Sequence, residues 1–141
     1  MIIFFLNAML IGILLFFSII ISPLIFKTLD NKNSSKIIRK IFPTLFLTGI
    51  LISLLSFLIS LFYDKEFTIY LSILNIIIFM INLFYFVPKI NKISDIKFKT
   101  EKIKKRNFII FHSLSVFLYL FSFLIFLLII FSFNNNNLAP F

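Results

Sequence analysis

The chain has 141 residues, 61% of them hydrophobic, with a mean hydropathy of +1.13 and a formal net charge of +9. A soluble domain of this size cannot hide so much apolar surface, because surface grows relative to volume as domains shrink, whereas a lipid solvent removes the difficulty. The absence of cysteine excludes disulfides, thiolate metal sites, iron–sulfur clusters and cysteine nucleophiles, and a single histidine excludes a His-rich metal site.

Four apolar stretches follow in chain order, over residues 2–26, 41–62, 67–88 and 107–133. Each has at least the ~20 residues that a helix needs to cross ~30 Å of hydrocarbon. Their many Ile, Phe and Val residues favour strands in water, but a chain in lipid must pair every backbone group internally, and a helix does so. A transmembrane barrel would need about eight or more short alternating strands. The long unbroken runs predict instead an all-α integral membrane protein, an antiparallel four-helix bundle forming a single domain over residues 1–141. The first stretch has no Lys or Arg before Ser22 and exceeds the usual apolar core of a signal peptide, so it is expected to be a retained span. Codons rich in A and T favour Ile, Phe, Lys and Asn, so no aromatic ligand cage is read into the 23 Phe residues.

The segments between the stretches carry the charge. Residues 27–40 hold Lys27, Lys32, Lys36, Arg39 and Lys40 against Asp30, a net of +4. Residues 89–106 hold eight basic residues against Asp95 and Glu101, a net of +6, and the turn at 63–66 holds Lys65 against Asp64 and Glu66, a net of −1. The positive-inside rule then sets the first and third loops in the cytoplasm of a cell (inner) membrane and both termini on the other side. Charge placed this way argues against nucleic-acid binding. Lys97, Lys99, Lys102, Lys104, Lys105 and Arg106 are expected to meet anionic lipid headgroups, on a short amphipathic helix if Ser94 or Asp95 caps one.

Each stretch carries one small or polar stripe at helical spacing. These are Asn7, Ser18 and Ser22; Gly49, Ser53, Ser56 and Ser60; Ser72, Asn75 and Asn82, with Tyr85 beyond; and His112, Ser115, Tyr119 and Ser122. Gly49, Ser53, Ser56 and Ser60 read as helix packing, since small residues let helices approach. A polar layer near the cytoplasmic face, with His112, Asn82, Ser22, Thr48 and Ser115, is the candidate ligand or proton pathway. Its His112 is expected to bond Asn82 or a serine if its role is structural, and to handle protons or contact a ligand or a metal otherwise. Pro43 is expected in the first turn of the second span, Pro88 at the end of the third, and Pro23 inside the first, where it frees a carbonyl.

Catalytic chemistry finds no foothold. The two glycines, Gly12 and Gly49, make no phosphate loop, and no paired carboxylates lie in a span. A Ser–His dyad at His112 lacks an acid to orient it. The expectation is no enzyme, no catalytic residues, no metal site and no cofactor.

The pattern Ser22-Pro23-x-x-Phe26-Lys27, then Phe42-Pro43, then Pro88-x-Ile90-Asn91-x-x-x-Asp95, then Phe111-His112-x-x-Ser115-Val116, resembles the DUF4149 or TMEM205-like group of small four-span membrane proteins. The resemblance implies a four-helix fold and no established biochemical activity. The group is richer in Gly and Ala in its first two spans, where this chain is rich in Ile and Phe. Three functions remain open: an accessory or scaffold protein that assembles with itself or a larger membrane complex, a small transporter or permeation unit using the polar layer, and a haem- or metal-linked redox protein using His112.

Overall fold

The computed structural model describes residues 1–95 and 101–136. The first rod is α1 (Ile2–Phe16), a π-helical turn (Phe17–Ile21) and α2 (Ser22–Thr28). The second is α3 (Asn31–Phe62). The third is α4 (Glu66–Ile81), a second π-helical turn (Asn82–Phe86) and α5 (Val87–Asp95), and the fourth is α6 (Glu101–Asn136). Among the described residues there is no strand, and four stretches, Ile2–Thr28, Lys32–Phe62, Glu66–Asp95 and Arg106–Ser132, are long and apolar enough to cross a bilayer. The protein is thus an all-α four-helix membrane bundle. Span one packs against spans two and four, and span three against the same two, so consecutive spans are neighbours and the ring closes.

The helices outrun the apolar stretches. At 1.5 Å per residue, the 32 residues of α3 extend about 48 Å, against about 30 Å of hydrocarbon. The excess lies at the end where the basic residues gather, called the basic end below. There the expected loop at 27–40 shrinks to Leu29 and Asp30, because Asp30 starts α3: its carbonyl accepts the Ser34 N–H and the Ser34 hydroxyl, both at 2.9 Å. Ser94 and Asp95 lie inside α5 as its last described residues, and the described part of span four begins at Glu101; residues 96–100, on which much of the expected amphipathic helix falls, lie outside the described residues.

Two of the three proline expectations are corrected. Pro43 lies well inside α3, not in its first turn, because the helix begins at Asn31. Pro88 does not stop span three, which runs on to Asp95. Proline lacks an N–H and its ring crowds the carbonyl four residues back. At both Pro23 and Pro88 a π turn immediately precedes the proline-bearing helix and widens the backbone there: the N–H of Ser22 reaches the Phe17 carbonyl, and that of Val87 reaches Asn82.

At the other end, α3 closes on Asp64, the one described non-glycine residue with positive φ, at 49°. The Lys65 N–H returns to the Ser60 carbonyl at 3.1 Å, a Schellman closure that ties down an otherwise unbonded carbonyl. The short turn fixes the α3–α4 register. A Cβ built on Gly49 would stand 2.8 Å from the Phe79 ring, so glycine is what lets that ring lie against α3. Phe79 stacks on Phe126 at 6.0 Å and meets Phe46 at 6.1 Å, and these rings with Leu10, Leu14, Ile78 and Ile129 form the core.

Candidate functional site

The basic end holds a cavity of about 500 Å³. All four spans contribute to it. The first supplies Phe17, Ser18, Ser22 and Phe26, the second Ser34, Ser35, Arg39 and Phe42, the third Val87, Asn91 and Ser94, and the fourth His112, Ser115, Val116 and Tyr119. From Phe108 to Tyr119 along α6 the wall covers about 16 Å. Phe17, Phe42 and Phe46 lie at the inner end with Ser18, Ser115 and Tyr119, while Ser34, Ser35, Arg39, Asn91 and Ser94 stand toward the mouth with Phe26 and Phe108. α2 approaches α3, but among the described residues no Cα of α2 comes within 8 Å of α5 or α6. Phe26 of α2 and Leu120 of α6, both more than half exposed, line the cavity on this side.

Polar ties between spans set the walls. The Tyr119 hydroxyl donates to the Leu14 carbonyl at 2.8 Å and lies 2.9 Å from Ser18 Oγ, which itself donates to Leu14 at 2.8 Å. The Ser115 hydroxyl donates to Asn82 Oδ1 at 2.6 Å, and Asn82 Nδ2 donates to the Ile78 carbonyl at 3.3 Å. Asn82 opens the second π turn and is fully buried, so its amide knits that turn to α6. At the mouth, Arg39 makes a two-pronged pair with Asp95, with N–O distances of 2.9 and 2.6 Å, joining the ends of spans two and three.

The residues singled out in the sequence separate into three groups. Ser22, His112 and Ser115 line the cavity, and Asn82 sits behind Ser115. Thr48 does not join them: its hydroxyl donates to the Thr44 carbonyl of its own helix at 2.9 Å. A threonine can satisfy itself in this way wherever it sits on a helix. Gly49, Ser53, Ser56 and Ser60 are all buried, where α3 meets α4 and α1. No hydrogen bond joins His112 to Asn82, whose Oδ1 accepts from Ser115; the His112 ring stacks on Phe108 at 5.6 Å with 13° between planes. Tyr85 falls off its stripe and is exposed, since the π turn shifts the helical phase after Asn82. Of the basic cluster, Lys97 and Lys99 lie outside the described residues, as do the side chains of Lys102, Lys104 and Lys105; Arg106 is exposed on α6. Sequence reasoning missed Arg39, Ser34, Ser35, Asn91 and Ser94 as cavity residues, because it ended the helices about a turn or more too early. The signal was present in Asp30, whose placement before a Ser-, Lys- and Ile-containing run marks a helix start.

Residues 5–99 match the profile of the family described as a domain of unknown function, DUF4149. The chain belongs to the DUF4149 family. The matched segment of this DUF4149 chain takes in the first three spans and their share of the cavity, from Phe17 to Ser94. Span four, with His112 and Ser115, follows it in sequence. A protein of Aquifex aeolicus (strain VF5), described as an uncharacterized protein, is 30% identical over 76 residues, which cover 54% of this chain and 57% of that protein. The chain thus matches a little over half the length of this curated relative. No solved structure matches it.

Proposed function

We propose that this DUF4149 chain binds a small amphiphilic molecule drawn from the bilayer, holding its polar head among the serines, Asn91 and His112 and its apolar body over Phe17, Phe42 and Phe46. One observation carries this reading: among the described residues α2 and α6 make no close backbone approach beside the cavity, where the exposed Phe26 and Leu120 line it, and the charged Arg39 and most of the serines stand toward the mouth of a lining that is otherwise largely apolar. A volume of about 500 Å³ falls within the range of small-molecule sites. A ligand entering from water alone needs no lateral gap, and a scaffold needs no cavity. The redox reading has less support, since His112 is the sole His, Asp or Glu among the cavity-lining residues and the Tyr119 hydroxyl is already engaged by Leu14 and Ser18.

The charge pattern supports the orientation. All 14 basic residues and all five acidic ones fall in the segments 27–40, 63–66 and 89–106, and the two basic segments lie at the cavity end. In our reading that end faces the cytoplasm of a cell membrane, so the ligand comes from the cytoplasmic leaflet. The chain acts by holding and presenting this ligand, without catalysing a reaction on it, to itself as an oligomer or to a larger membrane complex.

Binding is tested with a fluorescent fatty acid titrated into the purified protein in nanodiscs, beside Ser22→Trp, which fills the gap between α2 and α6. Saturable binding by the natural chain that the variant loses, at unchanged helicity, is expected. Equal binding by both removes the cavity from consideration. Cysteine introduced at Lys36 or at Asp64 reports orientation in intact cells: an impermeant thiol reagent should label the second and spare the first.

A further inference from the structure

The middle of the bundle holds a second polar group, separate from the cavity. Asn7 on α1, Ser53 and Ser56 on α3, Ser72 and Asn75 on α4 and Ser122 on α6 are all 0% exposed. Register brings them together. The contact of Phe79 with Gly49 aligns α3 against α4, and stepping away along the antiparallel pair sets Ser53 opposite Asn75 and Ser56 opposite Ser72. The Ser115–Asn82 bond aligns α4 against α6, and seven residues further on each helix Asn75 meets the level of Ser122. Asn7 Nδ2 reaches Ser56 Oγ at 3.0 Å. Two polar levels thus lie about 5 Å apart, one helical turn.

Six atoms of this group have no partner among the described residues: Asn7 Oδ1, Ser53 Oγ, Ser72 Oγ, Ser122 Oγ, and both Nδ2 and Oδ1 of Asn75. A serine within a helix can discharge its hydroxyl on the carbonyl four residues back, as Ser18 and Ser60 do at 2.8 and 2.6 Å. Ser53, Ser72 and Ser122 do not, so their hydroxyls are turned to some other use. Buried polar groups without partners are rare, and in lipid no solvent from outside can relieve them.

The chemistry of the group selects its occupant. Asn75 offers an unpaired donor beside an unpaired acceptor, Asn7 an acceptor, and each serine either role. A cation would leave the Asn75 amide N–H groups unpaired and its own charge uncompensated, since no carboxylate is among the six residues. An anion would face the two amide oxygens. Water both donates and accepts, and makes about three hydrogen bonds when buried. We propose that this level of the bundle is a hydration site, in which ordered water bridges Asn7, Ser53, Ser72, Asn75 and Ser122 and locks the four spans in register.

Water-to-amide magnetisation transfer, measured by NMR on the natural chain in nanodiscs with ¹⁵N-labelled asparagine, tests the site directly. The Asn75 resonance is assigned by its loss in Asn75→Ser. Transfer from water to this fully buried amide is expected, and its absence overturns the proposal. A triple variant, Ser53→Ala, Ser72→Ala and Ser122→Ala, is expected to lower the melting temperature by removing water anchors. A rise would mean that the hydroxyls are dry and unpaired, against the proposal. A melting temperature raised by sodium but not by choline would indicate a cation and equally overturn it.

Discussion

Replacing Gly49 with alanine puts a single methyl group where the Phe79 ring lies. The Cβ would stand 2.8 Å from two ring carbons and 2.9 Å from a third, below the separation that real Cβ atoms tolerate. The ring has little room to move: Phe79 is 0% exposed and is held by Phe46 and Phe126, themselves almost fully buried. Overpacking of a close-packed core costs about 1–3 kcal/mol. Alanine is favoured over glycine in a helix by roughly 0.5–1 kcal/mol, which offsets part of this. The net expectation is a loss on the order of 1 kcal/mol. Gly12 supplies the control, since a Cβ there meets nothing within 4 Å. Gly12→Ala should therefore leave stability unchanged or raise it by up to about 0.5–1 kcal/mol. Reversible unfolding in mixed micelles, followed by helicity, measures both. Adding Phe79→Leu to Gly49→Ala should recover part of the loss, because the two positions share one contact. A Gly49→Ala protein as stable as the Gly12→Ala protein would refute the packing of this ring against α3, and with it the register that sets Ser53 opposite Asn75.

A double-mutant cycle on Asn82→Ala and Ser115→Ala should give a coupling near the ~0.6 kcal/mol average for such bonds between membrane helices and no larger than about 1.7 kcal/mol. Zero coupling would mean that the 2.6 Å bond is not formed in the membrane. Asp64→Gly should stabilise the protein by about 1 kcal/mol in the same unfolding assay, because glycine carries no Cβ penalty at positive φ. Arg39→Ala should cost less than about 1 kcal/mol, and a cycle with Asp95→Ala should shrink in high salt, since Arg39 is partly and Asp95 largely exposed.

Much of this architecture was legible without coordinates. A backbone in lipid has no water to bond, so an apolar run of ~20 residues has few options besides a helix. Four such runs and short connections leave an antiparallel bundle, and 3.6-residue periodicity picked out Asn7, Ser53, Ser56, Ser72, Asn75 and Ser122, all of which are buried. Helix ends were less legible, because hydropathy marks where lipid stops and not where the backbone stops coiling. Ser34 and Arg39 therefore read as loop while standing in α3. Phase failed at one place for a related reason. The π turn at Asn82–Phe86 adds a residue to the turn, and Tyr85 rotates out of the stripe.

The amino-acid sequence by itself determined that the chain spans a bilayer as four helices, which ends of the spans carry the positive charge and which residue types each helix can offer its neighbours, because these follow from the solvent and from local periodicity. Only the tertiary structure decided which polar groups meet. Ser115 takes Asn82 and leaves His112 stacked on Phe108, Tyr119 reaches across to Leu14, and α2 stands away from α6 to leave the cavity open. Those pairings depend on how far each helix is rotated and wound, which π turns and a single glycine contact set to within one residue, and no one-dimensional pattern carries that information.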